Sequence, residues 1–166
     1  MPVHFEPTEM KARRQRVSER LSELGLDGLL IFKQESMYYL TGYDTFGFSM
    51  FQCLIIDGSG NTVLLTRLPD LRQAQFTSDI QDIRLWHDTE GVNPTSELRG
   101  LLDDLGYRNK TLGIEFDSYG LKAHYWRLLE PQLDGFCRLV DASTLVDQFR
   151  RVKSPTEIEY IRRASE

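Results

Sequence analysis

The side chains of this 166-residue sequence that could do chemistry are spread along the chain and are not gathered into motifs. The three histidines, His4, His87 and His124, are 83 and 37 residues apart, so no HxH or HExxH pair places two imidazoles on one helix face. The sequence also contains no GxSxG element, no P-loop and no GxGxxG fingerprint. It therefore predicts no catalytic residue and no metal ligand within this chain.

Most of the individual polar candidates have ordinary structural explanations. His124 falls on a predicted helix and is interpreted as a surface residue, and the acidic pair Asp103-Asp104 falls on a solvated helix face. His87 directly follows a predicted strand, Ile83–Trp86. Two interpretations stay open for it: a solvated loop histidine, or a contact to a bound substrate.

The segment Gly42–Phe51, GYDTFGFSMF, is rich in aromatic side chains for a loop. Its aromatic residues are Tyr43, Phe46, Phe48 and Phe51, and two glycines lie among them. The aromatic rings either pack against the sheet below the loop or face outward to contact a ligand. The residues alone leave both interpretations open.

Composition excludes several classes of protein. The 20 Lys and Arg residues against 25 Asp and Glu residues give a net charge of −5, which disfavours nucleic-acid binding. No apolar run approaches the roughly 20 residues that span a bilayer, and no signal peptide is evident, so we expect a cytoplasmic protein with no membrane segment. Cys53 and Cys137 form no CxxC unit and are expected to be small buried hydrophobes, with one disulfide as the alternative.

Periodicity predicts alternating helices and strands. The first helix begins at Thr8, turns Met10, Val17, Leu21 and Leu24 inward, leaves Arg13, Arg16 and Glu23 outside, and ends at Gly25. Ser36 is predicted to cap the next, short helix, and a later helix over Leu121–Leu129 is predicted to end before Pro131. The strands are predicted at Gly28–Phe32, Phe51–Ile56, Thr62–Thr66, Ile83–Trp86, Thr111–Phe116 and Cys137–Val140. We therefore expect an α/β fold of three layers: a mixed sheet of about six strands with helices on both faces.

The last 17 residues carry the strongest local signal. Ser154, Pro155 and Glu157 form a complete helix start, with an N-cap serine, a proline at N1 and a glutamate at N3. Ile158 and Ile161 then begin an apolar stripe, and no glycine or asparagine follows as a C-cap. We expect this helix to lead into a further domain outside the 166 residues.

Three stretches resemble one family. The segment Arg151–Ala164, RVKSPTEIEYIRRA, together with Arg150 before it, resembles the linker of the creatinase, aminopeptidase P and prolidase family, which reads R-x-x-K-[ST]-x-x-E-[IL]. Met37–Tyr43, MYYLTGY, is similar to the YLTG element after that family's first strand, and Gly25–Ile31 is similar to its opening G-[IL]-D-A motif. The resemblance implies an N-terminal domain at residues 1–150 with a ribonuclease-H-like topology, followed at 151–166 by the linker and the start of the helix into a catalytic domain.

The resemblance also implies which roles belong to this chain and which belong to the catalytic domain. The family's peptidases hydrolyse Xaa-Pro bonds with two divalent metal ions (Mn, Co or Zn) held in the catalytic domain, so no cofactor is expected in this chain. A homodimer is implied, in which the Gly42–Phe51 loop approaches the partner's active site. The substrate-contacting residues in trans would then be Phe46, Phe48, Met50 and His87. Met50 stands where creatinase has a carboxylate-binding arginine, which disfavours creatine as the substrate.

One local similarity to the family's metal motif is set aside. Asp57–Arg67, DGSGNTVLLTR, superficially matches a segment that begins Asp-x-Gly and ends Asp-x-Thr-Arg. No aspartate precedes Thr66, however, and Asp57-Gly58 is the kind of pair that opens a hairpin turn. A structural role for Asp57 is therefore expected.

Several functions remain as alternatives at this point. The first hypothesis is the non-catalytic N-terminal domain of a metal-dependent Xaa-Pro aminopeptidase or dipeptidase, which contributes to dimerisation and substrate access. The second is the same domain of a small-molecule amide hydrolase or lyase, creatinase-like or ectoine hydrolase-like, with a compact zwitterion as substrate. A stand-alone binding module is the third. A ribonuclease-H-like nuclease is the fourth, but it needs clustered carboxylates and a basic face, and neither is visible.

Overall fold

The structure, a computed structural model, describes residues 4–166. Its strands are β1 Gly28–Ile31, β2 Cys53–Asp57, β3 Thr62–Arg67, β4 Asp82–Trp86, β5 Thr111–Ile114 and β6 Arg138–Asp141. Its α-helices are α1 Pro7–Glu23, α2 Gln34–Thr41, α3 Leu71–Thr77, α4 Pro94–Asp104, α5 Ala123–Leu133, α6 Leu145–Arg151 and α7 Pro155–Ala164. A short 3-10 turn, Leu68–Asp70, precedes α3.

The six strands form one mixed sheet in the order β4-β3-β2-β1-β5-β6. β2 pairs antiparallel with β1 and with β3, whereas the pairs β1–β5, β5–β6 and β3–β4 are parallel. It follows that β2 runs against all five other strands, whose carboxyl ends meet at one edge of the sheet. The predicted α/β fold, with a mixed sheet of six strands, is confirmed.

Each face of the sheet supports its own hydrophobic core. Alternation along β1 sends Leu29 and Ile31 to one face and Leu30 to the other, because successive side chains of a strand point in opposite directions. The first core joins the sheet to α1, α2 and α6 through residues such as Val17, Leu21, Met37, Leu40 and Val146. The second core joins it to α4 and α5 through Leu98, Leu102, Leu129 and Leu133. The result is the three-layer arrangement that the sequence predicts.

Helix α1 differs from its prediction at two positions. Arg13, expected outside, is 1% exposed, and Leu24, expected inside, is 48% exposed. Arg13 is buried because its guanidinium finds aromatic and carboxylate partners below the helix. Leu24 is the C-cap, where the chain turns away toward the left-handed Gly25, so its side chain does not reach the sheet.

Helix α5 does not end before Pro131 as predicted. It runs to Leu133 with Pro131 inside it. Leu129 and Leu133, one turn apart, are 0% and 1% exposed and both pack into the second core. Their burial outweighs the backbone hydrogen bond that a proline cannot donate, and the Arg127 position opposite the missing donor is exposed to solvent.

Two other expectations have simple outcomes. Cys53 is buried, Cys137 is half-buried and both are free, so the disulfide alternative is wrong. Along residues 4–166, none of the helices combines the length and the apolar character needed to cross a membrane.

Candidate functional site

The carboxyl edge of the sheet collects the residues that the sequence singled out. β1, β3, β4, β5 and β6 all end there, and β2 begins there because it runs the opposite way. The Gly42–Phe51 loop precedes β2, and His87 follows β4, so both belong to this edge. Topology thus brings Phe46, Phe48, Met50 and His87 to one side of the molecule although 41 residues separate the first from the last.

The loop presents its central aromatic rings to solvent. Phe46 is 92% exposed, Phe48 50% and Met50 36%, whereas Tyr43 and Phe51 at its two ends are fully buried. The packing interpretation is therefore confirmed for Tyr43 and Phe51. Phe46 and Phe48 face outward, and their contact with a ligand stays a prediction.

A buried polar network holds the backbone of the loop in place. The Tyr43 hydroxyl donates to Gln52 Oε1 at 2.6 Å, and Gln52 Nε2 donates to the Gly47 carbonyl at 2.8 Å. The Thr45 hydroxyl accepts the Gly47 N–H at 2.9 Å and donates to Asp70 Oδ1 at 3.2 Å. Because Thr45 and Gly47 point inward, the residues between and after them point outward. The exposed aromatics are thus carried on a well-anchored backbone.

Phe48 lines a cavity of about 690 Å³ at this edge. Its ring meets that of Tyr119 edge to face, with centroids 6.1 Å apart, and Tyr119 is 76% exposed. Lys33, Asp117, Asp147 and Arg150 also line the cavity. The site is therefore an open pocket with one aromatic wall and one charged wall, a form that suits a small polar molecule.

The charged wall is organised around Asp147. Its carboxylate accepts from Lys33 Nζ at 2.9 Å and from Arg150 Nη1 at 2.9 Å. Burial alone would raise the pKa of Asp147, but Lys33 and Arg150 outweigh it and the net shift is downward. Burial likewise would lower the pKa of Lys33, and Asp147 reverses that shift. Both groups are thus charged across the physiological pH range.

Glu115, just after β5, is the most perturbed acid near this edge. It is fully buried, and its carboxylate accepts the Ser36 hydroxyl and the N–H groups of Phe32 and Lys33. Burial raises its pKa to about 7, although those hydrogen bonds and the Lys33 charge act in the opposite direction. The prediction that Ser36 caps this helix is wrong. Ser36 lies within α2, whose N-cap is Lys33, and its hydroxyl donates to Glu115 instead.

The predicted contact residues are only partly brought together. Phe48 lines the cavity; Phe46, Met50 and His87 do not, and His87 is exposed beside Asp88, which pairs with Arg67 at 3.5 Å. Sequence reasoning missed Lys33, Tyr119, Asp147 and Glu115. A single carboxylate directly after the apolar strand residues Leu112–Ile114 was the available signal for Glu115.

The metal-like Asp57 segment has a structural role, as expected. Asp57 Oδ1 accepts the N–H groups of Ser59 and Asn61 at 2.8 and 2.9 Å, which closes the β2–β3 turn. Between residues 4 and 166, no three His, Cys, Asp or Glu side chains come together as a metal-binding group. Within the part of the chain that the structure describes, the edge pocket beside Phe48 is the candidate site.

The fold and this edge define an α/β domain that presents an anchored aromatic loop beside an open pocket. The creatinase/prolidase N-terminal domain model matches residues 13–152, and the chain belongs to that family. Ectoine hydrolase of Halomonas elongata is 32% identical over 165 residues, which cover 95% of this chain and 41% of that protein. The chain thus spans about two fifths of that relative.

Solved structures agree on the fold. A dipeptidase from Pyrococcus horikoshii superposes with a TM-score of 0.71 at 24% identity, over 89% of this chain and 38% of that one. A prolidase from Thermococcus sibiricus gives a TM-score of 0.74 at 18% identity, over 90% and 39% of the two chains. At this level of identity the similarity establishes the architecture alone.

Proposed function

We propose that this chain is the non-catalytic N-terminal domain of a hydrolase of the creatinase/prolidase family. It contributes to a homodimer and shapes substrate access at the partner subunit's active site. The observation that carries the proposal is the loop geometry: Phe46 and Phe48 are exposed on a backbone that buried hydrogen bonds hold in place. Exposed aromatic rings on an anchored backbone are a form suited to contact with a ligand or a second chain.

We propose that the catalytic groups lie in the remainder of the parent protein. The ectoine hydrolase relative extends well beyond the matched segment, which leaves room for a second domain. The charged residues at the pocket, Lys33 and Arg150, both form ion pairs with the one carboxylate of Asp147, an arrangement that suits positioning rather than proton transfer. A divalent metal (Mn, Co or Zn) would bind in that second domain, and we propose a cytoplasmic location for the whole protein.

For the substrate we propose a compact zwitterion of the ectoine type. The ectoine hydrolase relative matches almost the whole chain at 32% identity, and this favours the small-molecule branch. A ring such as Phe48 can stabilise a delocalised cation through its π face. Met50 cannot form the bidentate contact that an arginine offers to a carboxylate, so creatine is disfavoured.

An Xaa-Pro dipeptide is the second candidate. The linker motif Arg150–Ile158 resembles that of the family's peptidases as much as that of its small-molecule members. Assays of the parent protein distinguish the two candidate substrates, because one predicts ring opening of ectoine and the other predicts release of proline.

The test uses the full-length parent protein. We expect it to hydrolyse ectoine faster than Xaa-Pro dipeptides, and we expect the 166-residue chain to turn over neither, with or without added Mn²⁺. In the parent, Phe48→Ala should raise KM about tenfold, whereas Leu24→Ala, an exposed apolar residue at the opposite edge, should leave it unchanged. Sedimentation of the parent checks the dimer. Turnover by the 166-residue chain alone would contradict the non-catalytic role.

A further inference from the structure

Arg13 is a buried cation that lies between two aromatic rings. It occupies the middle of α1 and is 1% exposed. Its guanidinium carbon lies 4.0 Å from the centroid of the Phe5 ring and 4.4 Å from that of the Tyr39 ring. A charge withdrawn from water in this way requires compensating partners, and here the rings supply part of the compensation.

The remaining partners of Arg13 come from three helices. Nη1 donates to the Tyr39 carbonyl of α2 at 3.0 Å, and Nη2 donates to Glu9 of α1 at 2.6 Å. Nη2 also lies 3.7 Å from Glu157 Oε2 in the first turn of α7. One guanidinium thus connects α7 to the two helices that cover the first face of the sheet.

The first turn of α7 meets α1 through more than this ion pair. Ser154 and Glu157 form the reciprocal capping box that begins the helix. Burial would raise the pKa of Glu9, but the nearby Ser154 of the α7 cap and Arg13 outweigh it and leave the pKa lowered. The α7 cap, Glu9 and Arg13 therefore form one continuous polar contact.

A second contact point lies one turn further along α7. The Tyr160 hydroxyl donates to the His4 carbonyl at 2.7 Å, and its ring packs edge to face on Phe5 at 5.7 Å between centroids. Phe5 is the same ring that covers Arg13. Two points along a helix define its direction, and both points converge on the Arg13 and Phe5 pair.

Little else holds α7 against the domain. None of its residues is buried, and Ile158 and Ile161 are 40% and 55% exposed. A helix without a buried apolar face depends on its few specific contacts for its orientation. Loss of Arg13 would leave Glu9 and Glu157 facing each other without the cation between them.

We propose that Arg13 is a positioning residue: it fixes the direction of α7 relative to the sheet and so sets where the aromatic loop lies in the parent enzyme. The second half rests on the proposed function, because α7 occupies the place of the family's linker to the catalytic domain. A rigid connection at this point would place Phe46 and Phe48 at a fixed distance from whatever follows α7.

The first half can be tested on the 166-residue chain. Residual dipolar couplings of the backbone amides report the orientation of each element in one molecular frame. In the unsubstituted chain, the α7 couplings should fit the same alignment as those of the six strands. In Arg13→Met they should shrink by about half or more as α7 samples other directions, while the strand couplings keep their range.

The control is Arg14→Met on the same helix. Arg14 is also partly buried and bonded, to the Leu40 carbonyl and to Asp79, but makes no contact with α7. Its α7 couplings should match those of the unsubstituted chain. Should Arg13→Met fail to fold, the double variant Tyr160→Ala, Glu157→Gln removes the contacts that α7 makes with Arg13, Phe5 and His4. The amide oxygen of the new glutamine side chain still accepts the hydrogen bond of the helix cap. Unchanged α7 couplings in the folded variant would overturn the proposal.

The second half is measured on the parent protein. Arg13→Met should raise KM about tenfold or more and change kcat less, since the reacting groups lie elsewhere, and Arg13→Lys should recover part of the loss. Arg14→Met should leave both constants unchanged. If α7 loosens in the isolated chain while KM of the parent is unaltered, Arg13 does fix the direction of α7, but the role of the loop in substrate access is refuted. If neither changes, Arg13 has no positioning role.

Discussion

The Glu115 carboxylate accepts the Ser36 hydroxyl at 2.6 Å, and this contact ties the end of β5 to the first turn of α2. The other carboxylate oxygen accepts the N–H groups of Lys33 at 2.9 Å and Phe32 at 3.2 Å. One buried acid thus fixes the segment between β1 and α2. Since α2 leads directly into the aromatic loop, Glu115 also determines where that loop begins.

Glu115 should make stability depend on pH between 4.5 and about 7. Burial raises its pKa from 4.5 to about 7, so in this window the folded chain holds a proton that the unfolded chain has lost. The contribution of Glu115 to the free energy of unfolding is fully present below pH 4.5. It falls by about 3 kcal/mol as the pH rises to 7, on the scale of 1.36 kcal/mol per pKa unit. Urea unfolding at pH 5.0, 6.0 and 7.5 measures the slope.

The matched variant is Glu115→Gln, which keeps the shape and removes the titration. It should lower stability by about 1–3 kcal/mol, because its amide N–H group faces existing donors, and the slope between pH 5 and 7.5 should flatten. Asp141 and Asp147 have lowered pKa values, Asp141 from its bonds with Ser143 and Asp147 from its two cations, so they act only toward lower pH. A slope that persists in Glu115→Gln would assign it to another group.

Gly47 should tolerate no side chain. A Cβ at this position would lie 2.6 Å from Gln52 Nε2 and 2.8 Å from Asp70 Oδ1. Both atoms already hold the loop, so Gly47→Ala must break the network or displace the backbone, at a cost of about 1–3 kcal/mol. Amide shifts of residues 45–50 should change more than those of the strands, and urea unfolding gives the energy.

Gly58→Ala is the control for that substitution. Gly58 lies in the β2–β3 turn, and a Cβ there would meet no heavy atom within 4 Å. It should be neutral or stabilise the chain by about 0.4–1 kcal/mol through the unfolded state. Equal destabilisation by the two alanines would show that the network around Gly47 is looser than the distances indicate.

The elements could be predicted from the sequence because each depends on local rules. The capping box of Ser154 and Glu157 forms as predicted, and the short apolar runs at β1 and β2 form strands of the six-stranded mixed sheet. The exceptions are set by residues distant in sequence. Arg13 is buried because Tyr39 and Phe5 lie against it, and Ser36 leaves its cap role because Glu115, 79 residues later, needs a donor. The hydrophobic periodicity of a sequence does not show which distant residues will become contact partners.

The same limit applies to the candidate site. Phe48 could be identified from the loop composition, but Tyr119 joins it across a gap of 71 residues, through the folding of β5 beside β1. The ion pair between Lys33 and Asp147 is likewise created by topology, since the two residues follow different parallel strands at one edge. Pockets at such an edge become visible only after the strand order is known.

The two cysteines should differ sharply in reactivity. Cys53 is fully buried in the second core, and burial raises its pKa well above the usual range, so thiolate is scarce. Cys137 is half-buried and should react first. Titration with a disulfide reagent should give one fast thiol per native chain and two in denaturant. Cys137→Ser should remove the fast phase, and two fast thiols in the native chain would show that the core around Cys53 opens readily.

Pro131 should be a site where a single substitution stabilises the protein. It lies inside α5, where it cannot donate to the Arg127 carbonyl one turn earlier. Pro131→Ala restores that donor. The helix-interior gain of about 3 kcal/mol is reduced by about 0.4–1 kcal/mol through the added freedom of the unfolded chain, which leaves a net gain of about 2 kcal/mol.

Pro155→Ala provides the comparison, because Pro155 stands at the first position of α7. The N–H group of an alanine there would gain no partner within the helix, so no comparable stabilisation is expected. Thermal unfolding followed by circular dichroism measures both variants against the unsubstituted chain, and the midpoint of Pro131→Ala should rise by several degrees. A midpoint that falls would mean that the proline ring itself packs usefully against the end of α5, so that its contacts outweigh the missing hydrogen bond.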